Sequence, residues 1–180
     1  MKKLFLILFA IIPFVINAQD EDWDDPIFYN DFIVEQQTDL MTLILEMNTA
    51  LETGTAEEVY TALNQLQERT ARAIDELDNM PCHKGDCEMI DAARKLFAFY
   101  ALIFEDDYNK MIKLALKTEL TDVELTEFSE IQSGIVTREA ALDEAFLGAQ
   151  KRFADKNGFT LSEWLAVPIA IGKLISWLVR

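Results

Sequence analysis

Apolar residues recur three and four positions apart along most of this chain, and they do so in four long stretches. That period is the signature of helices that bury one face. The first stretch runs from about Pro26 to Leu51, with the stripe Tyr29, Ile33, Leu40, Ile44, Met47 and Leu51. Pro26 suits a first helical turn, with Asp25 as its cap, and Gly54 follows as a stop. The second starts at Thr55, where Thr55-Ala56-Glu57-Glu58 reads as a capping box. Its stripe is Val59, Leu63, Leu66, Thr70, Ile74 and Leu77, and Asn79 and Pro81 end it. The third runs from near Asp86 to about Thr118 and carries Ala93, Phe97, Tyr100, Phe104, Tyr108, Met111 and Leu114. The fourth opens with a second capping box, Thr121-Asp122-Val123-Glu124, and runs to about Lys156, with Asn157-Gly158 closing it. Phe128, Ile131, Ile135, Leu142, Ala145, Ala149 and Phe153 make its stripe.

No stretch alternates with period two over strand length. Short connections between long helices force antiparallel neighbours. The expected fold is therefore all-α: an antiparallel up-down-up-down four-helix bundle over residues 26–159, with helices of roughly 35–50 Å at 1.5 Å per residue.

Both ends break the pattern. Lys2 and Lys3 precede a charge-free apolar run, Leu4 to Ile16, and Asn17-Ala18 then gives way to Gln19-Asp20-Glu21-Asp22. This is the layout of a secretory signal cleaved after Ala18, with residues 1–18 as signal peptide. It implies export to the periplasm, the cell surface or the medium. Residues 19–25 read as an acidic, mobile leader with Trp23 as its only apolar residue.

At the other end, residues 160–180 are apolar almost all round, through Trp164, Ile171, Ile175, Trp177 and Leu178. Pro168 interrupts this tail, and its charges are Glu163, Lys173 and Arg180. A helix apolar on every side needs burial on every side. Three readings follow, in order of preference: the tail folds back over one end of the bundle, it is a contact surface for a protein partner or a second copy, or it enters a membrane. Its charges, its proline and its modest length count against a bilayer span.

Charge narrows the function classes. The signal holds two of the 16 basic residues and none of the 32 acidic ones, so the exported part carries a formal net charge of −18. Such a surface repels nucleic-acid phosphates and anionic headgroups. The hydrophobic fraction of 51% still supplies a core. The acidic clusters at Asp20–Asp22, Asp24-Asp25 and Glu105–Asp107 read as a solvated face that keeps the chain soluble.

Candidate chemistry is sparse. Cys82 and Cys87 lie in Pro81-Cys82-His83-Lys84-Gly85-Asp86-Cys87, between the second and third helices. In an exported chain this spacing points to a local disulfide. The set lacks the paired spacing of a zinc site and the Cys-x-x-Cys of a redox pair. His83 is the only histidine. One histidine at a loop tip supplies neither the two Glu-x-x-His motifs of a di-iron bundle nor a nucleophilic triad. Asp155-Lys156-Asn157-Gly158 resembles a calcium loop, but with Gly158 as its sixth position Phe153 and Trp164 fall where acids are required. No catalytic residue, metal ligand or cofactor is assigned.

A polar core cluster is assigned to Tyr29, Gln36, Tyr100 and Tyr108, with Gln37 nearby. Buried hydroxyls and amides need partners. One reading is mutual hydrogen bonding that fixes helix register, and the sharper one is a pocket for a small ligand.

Two stretches carry a resemblance. Tyr29-Asn30-Asp31-Phe32-Ile33-Val34-Glu35-Gln36-Gln37 opens the first helix. Pro81, Gly85-Asp86, Asp91-Ala92-Ala93 and the series Phe97, Tyr100, Phe104, Tyr108 mark the third. The chain resembles a family of uncharacterised bacterial secreted or surface proteins with a signal peptide and a long-helix bundle. The resemblance covers about Pro26 to Phe159 and implies a helical bundle in the envelope or outside the cell, and no activity. The leading expectation is a non-enzymatic exported or envelope-associated binding or structural module. The rivals are a small-ligand carrier or enzyme using the polar pocket, and a membrane-associated protein held by its tail.

Overall fold

The computed structural model describes residues 22–161. The expected signal peptide and the contact residues Trp164, Ile171, Ile175, Trp177 and Leu178 lie outside the described residues. Within them the chain is all-helical. It forms α1 (Pro26–Thr53), α2 (Ala56–Asn79), α3 (Glu88–Leu102), a π-helical turn (Ile103–Asp107), α4 (Tyr108–Ala115) and α5 (Asp122–Asn157).

The helix starts follow from their caps. The Asp25 carboxylate accepts from the Ile27 and Phe28 amides at 2.8 and 3.4 Å, ahead of Pro26. Thr55 and Glu58 exchange both bonds of a capping box at 2.6 and 3.3 Å, and Thr121 and Glu124 do so at 2.9 and 3.3 Å. Each cap satisfies donors that the first helical turn leaves open. Helix α5 ends on Gly158 at φ 74°, a left-handed residue that glycine adopts without Cβ strain.

Gly54 stops α1 as its C-cap. Its backbone is extended, and a Cβ there would lie 2.7 Å from the Ala50 carbonyl oxygen. Close approach explains this glycine. Helix α2 stops at Met80, extended because Pro81 follows it.

The expected third helix is broken. It begins at Glu88, passes through the π-helical turn and ends at Ala115. The wider turn frees the Phe104 carbonyl, which accepts from Gln67 Nε2 of α2 at 2.8 Å. The seven stripe residues Ala93, Phe97, Tyr100, Phe104, Tyr108, Met111 and Leu114 are all buried, and so is Ile103. On α5 the stripe needs one correction: Ala145 is exposed and Phe146 faces the core.

Helices adjacent in the chain pack on each other, α1 on α2 and α2 on α3, and α5 lies on α3. The approach of α1 to α5 is much sparser. The interior is one apolar cluster drawn from every helix. Among the described residues no helix is long and apolar enough to cross a membrane.

Candidate functional site

The turn between α2 and α3 is the most constrained loop. Cys82 and Cys87 form a disulfide with their Cα atoms 4.5 Å apart. Lys84 and Gly85 both have positive φ, 49° and 86°, the pattern of a type I′ turn. The Asp86 amide donates to the His83 carbonyl at 2.9 Å.

This geometry turns His83 inward, which corrects its expected place at a loop tip. The side chain is 3% exposed. Its Nδ1 lies 2.9 Å from the Trp23 carbonyl oxygen, and its ring packs edge-on against Tyr29 and Phe153 at 5.3 and 5.0 Å. Trp23 in turn packs on Phe28, Tyr29 and Phe32. The described part of the leader, residues 22–25, is therefore anchored against α1 and the disulfide turn.

Two predictions arise here. Replacing both cysteines with serine should cost about 2 kcal/mol, the loop-closure entropy of a short ring. Urea unfolding of the oxidised chain beside the double variant checks this. Lys84→Gly should raise stability by about 0.5–1 kcal/mol, because lysine holds a left-handed conformation against its Cβ. An unchanged midpoint would mean that the turn carries no such strain.

The four residues of the expected polar cluster are not brought together. Tyr29 donates its hydroxyl to the Pro81 carbonyl at 2.9 Å and bolts α1 to the disulfide turn. Burial pushes its pKa up to about 12. Gln36 faces α2: its amide donates to Phe32 O at 3.3 Å, and its carbonyl accepts from the Arg69 guanidinium. Tyr100 and Tyr108 do stay together, with Phe104 between them at ring distances of 6.1 and 4.9 Å. Their hydroxyls are buried without a well-formed hydrogen bond.

The residues that face these hydroxyls come from α5. Glu139 and Asp143 stand one turn apart and are 1% and 6% exposed. Burial, then the charges of Asp143 and Glu139, holds the Tyr100 hydroxyl well above its usual pKa, while Gln37 of α1 opposes the shift. Gln37 thus faces Tyr100 closely, outside good hydrogen-bonding geometry. Burial and then Glu139 do the same to Tyr108. Asp143 is pushed up to about 7, by burial first and Glu139 second. Charge on Asp143 is disfavoured because water is removed and a like charge, Glu139, is close.

The cluster belongs to a longer seam. Gln150 donates to Asn30 Oδ1 at 2.9 Å across α5 and α1. Seven residues further along α1 stands Gln37, and seven back along α5 stands Asp143. Eleven further on each helix come Asn48 and Gln132. Spacings of seven and four keep a residue on one helical face. Polar side chains therefore line both sides of the sparse α1–α5 contact, and the carboxylate pair lies midway, against the π-helical turn. Such turns frequently mark functional sites.

Sequence reasoning passed over Asn30, Glu139, Asp143 and Gln150. The signal was present as the series Gln132, Glu139, Asp143, Gln150 inside an amphipathic helix. What the cluster can do chemically is hold a positive charge. Its carboxylates accept hydrogen bonds, its tyrosines donate or accept them, and a cation would favour the ionised acids. Among the described residues no group of three or more His, Cys, Asp or Glu is placed to hold a metal ion. Comparison with protein-family models, with curated proteins and with solved structures finds no match to this chain.

Proposed function

We propose that this chain is an exported, non-enzymatic helical binding module. Its helices form an up-down-up-down bundle over residues 26–159, and its α1–α5 seam takes an ammonium or guanidinium group at Glu139 and Asp143. The observation that carries the reading is the pairing of two water-excluded carboxylates with two buried tyrosine hydroxyls that have no well-formed protein partner. Buried polar groups are ordinarily satisfied, and a cation beside a buried carboxyl favours its ionised form. Packing of consecutive helices and the meeting of Asn30 with Gln150 support the bundle arrangement. The signal layout at residues 1–18 and the Cys82–Cys87 disulfide both suit an oxidising compartment outside the cytoplasm.

The test is the titration of the Asp143 carboxyl in the exported chain, followed by carboxyl NMR with and without n-butylammonium. With a cation on the pair, whether the chain's own or the added one, Asp143 ionises well below the value of about 7 that burial and Glu139 impose. A midpoint that stays near 7 in both samples removes the reading.

A further inference from the structure

The turn between α2 and α3 is closed against its own local preferences. Helix α2 ends on Met80 without a glycine cap, and Cys87, the N-cap of α3, makes no side-chain capping bond. Lys84 is held at φ 49°, a left-handed conformation that its Cβ disfavours. His83 is buried, and its Nε2 has no hydrogen-bond partner. Taking that nitrogen out of water without a partner costs free energy. Lys84 and His83 therefore both favour an opened turn, and the Cys82–Cys87 disulfide opposes them.

The two shoulders of the turn are tied independently of the disulfide. Tyr29 donates its hydroxyl to Pro81 O at 2.9 Å, and Arg94 donates to Met80 O at 3.0 Å. On the other side Lys156 Nζ donates to Asp86 at 2.6 Å, and Arg152 donates to Glu88 at 2.9 Å. Opening is thus confined to the residues between Pro81 and Asp86. The side chain that this stretch carries inward is His83, and His83 holds the leader. Its Nδ1 lies 2.9 Å from Trp23 O, across 60 positions of sequence. The ring contacts of Trp23, with Phe28, Tyr29 and Phe32, all lie on the start of α1. Both cysteines are partly exposed, so an external thiol can reach the bond between them.

We infer that the Cys82–Cys87 disulfide is a redox latch on the leader: the oxidised chain holds Trp23 through His83, and reduction by an external dithiol releases it. One thiolate of the dithiol attacks a sulfur of the pair, the S–S bond breaks, and a mixed disulfide forms. The second thiol then displaces the remaining cysteine. The dithiol leaves as a disulfide, and its two electrons and two protons end on the Cys82 and Cys87 thiols. The turn relaxes at Lys84, and His83 swings into water, where Nε2 finds a partner. Its bond to Trp23 is lost, and the leader detaches while the helices stay packed. Linkage makes the coupling reciprocal, so a docked leader resists reduction of the disulfide by the same factor. The latch does not depend on the cation site.

The test uses the exported chain, residues 19–180, labelled with 5-fluorotryptophan, with Trp23→Phe to assign the Trp23 fluorine resonance. Dithiothreitol should move that resonance to the position of a solvated indole, with no loss of helical circular dichroism. Cys82→Ser/Cys87→Ser should show the same position without reductant. In glutathione redox buffers Trp23→Ala should make the disulfide about tenfold easier to reduce. His83→Phe keeps a ring in the seat but cannot bond Trp23 O. In that background Trp23→Ala should leave the reduction equilibrium unchanged.

An unmoved Trp23 resonance in the reduced and serine chains overturns the inference and makes the disulfide a brace for the turn alone. Loss of helix on reduction overturns it too, because the bond would then hold the helices and not the leader. Equal reduction equilibria for the parent and Trp23→Ala chains remove the reciprocal coupling, and the latch with it.

Discussion

Phe104→Ala should lower the unfolding free energy by about 3–5 kcal/mol, the cost of emptying a large aromatic position in a close-packed core. Phe104 has no exposed surface, and its ring separates those of Tyr100 and Tyr108. It also sits in the π-helical turn, where its carbonyl is held by Gln67. Neighbouring side chains cannot close the space without moving the two tyrosines away from Glu139 and Asp143. Urea unfolding should show the loss as a lower midpoint at an unchanged slope. Leu102→Ala, two residues earlier and 60% exposed, should stay within about 0.5 kcal/mol of the parent. Equal effects at the two positions would mean that the break at Ile103 does not direct the chain as described.

Arg94→Ala should cost about 3 kcal/mol, although the residue touches no cluster of obvious chemistry. Helix α2 ends at Asn79 without a glycine cap, so its last carbonyls need donors from elsewhere. Arg94 of α3 supplies them. Its guanidinium donates to Leu77 O at 3.2 and 3.0 Å, to Asp78 O at 3.3 Å and to Met80 O at 3.0 Å. Charge-assisted bonds of this kind are each worth about 1.5–3 kcal/mol, reduced here by partial exposure. The positive charge also complements the negative end of the α2 dipole. Lys at this position should recover only part of the loss, since one ammonium cannot span three carbonyls. Amide exchange at Met80 and along the last turn of α2 should accelerate in the alanine variant. Unchanged exchange there would show that solvent caps the helix equally well.

Much of this protein was legible in its residues because the information is local. The two Thr-x-x-Glu boxes, Asp25 before Pro26, and Gly158 after Asn157 act on backbone groups within four positions, so their effect does not depend on the remainder of the chain. The apolar stripes needed only the helical period, and the Cys82–Cys87 pair only a ring too short to close in many ways. Tertiary structure decided the rest. Tyr29 and Gln36 share helix-face spacing with the core, yet one bonds to Pro81 and the other to Arg69, because the choice of partner depends on helices distant in sequence. Ala145 fits the stripe as well as Phe146 does, and the packed structure buries the larger ring and leaves Ala145 exposed. His83 is buried because a reversed turn aims it between Tyr29 and Phe153, which no spacing rule anticipates. The meeting of Glu139 and Asp143 with Tyr100 and Tyr108 depends on the register of α3 against α5 and on a π-helical turn within an unbroken apolar pattern. Periodicity names the face a helix buries, and only the packing of the helices determines which polar residues on that face meet.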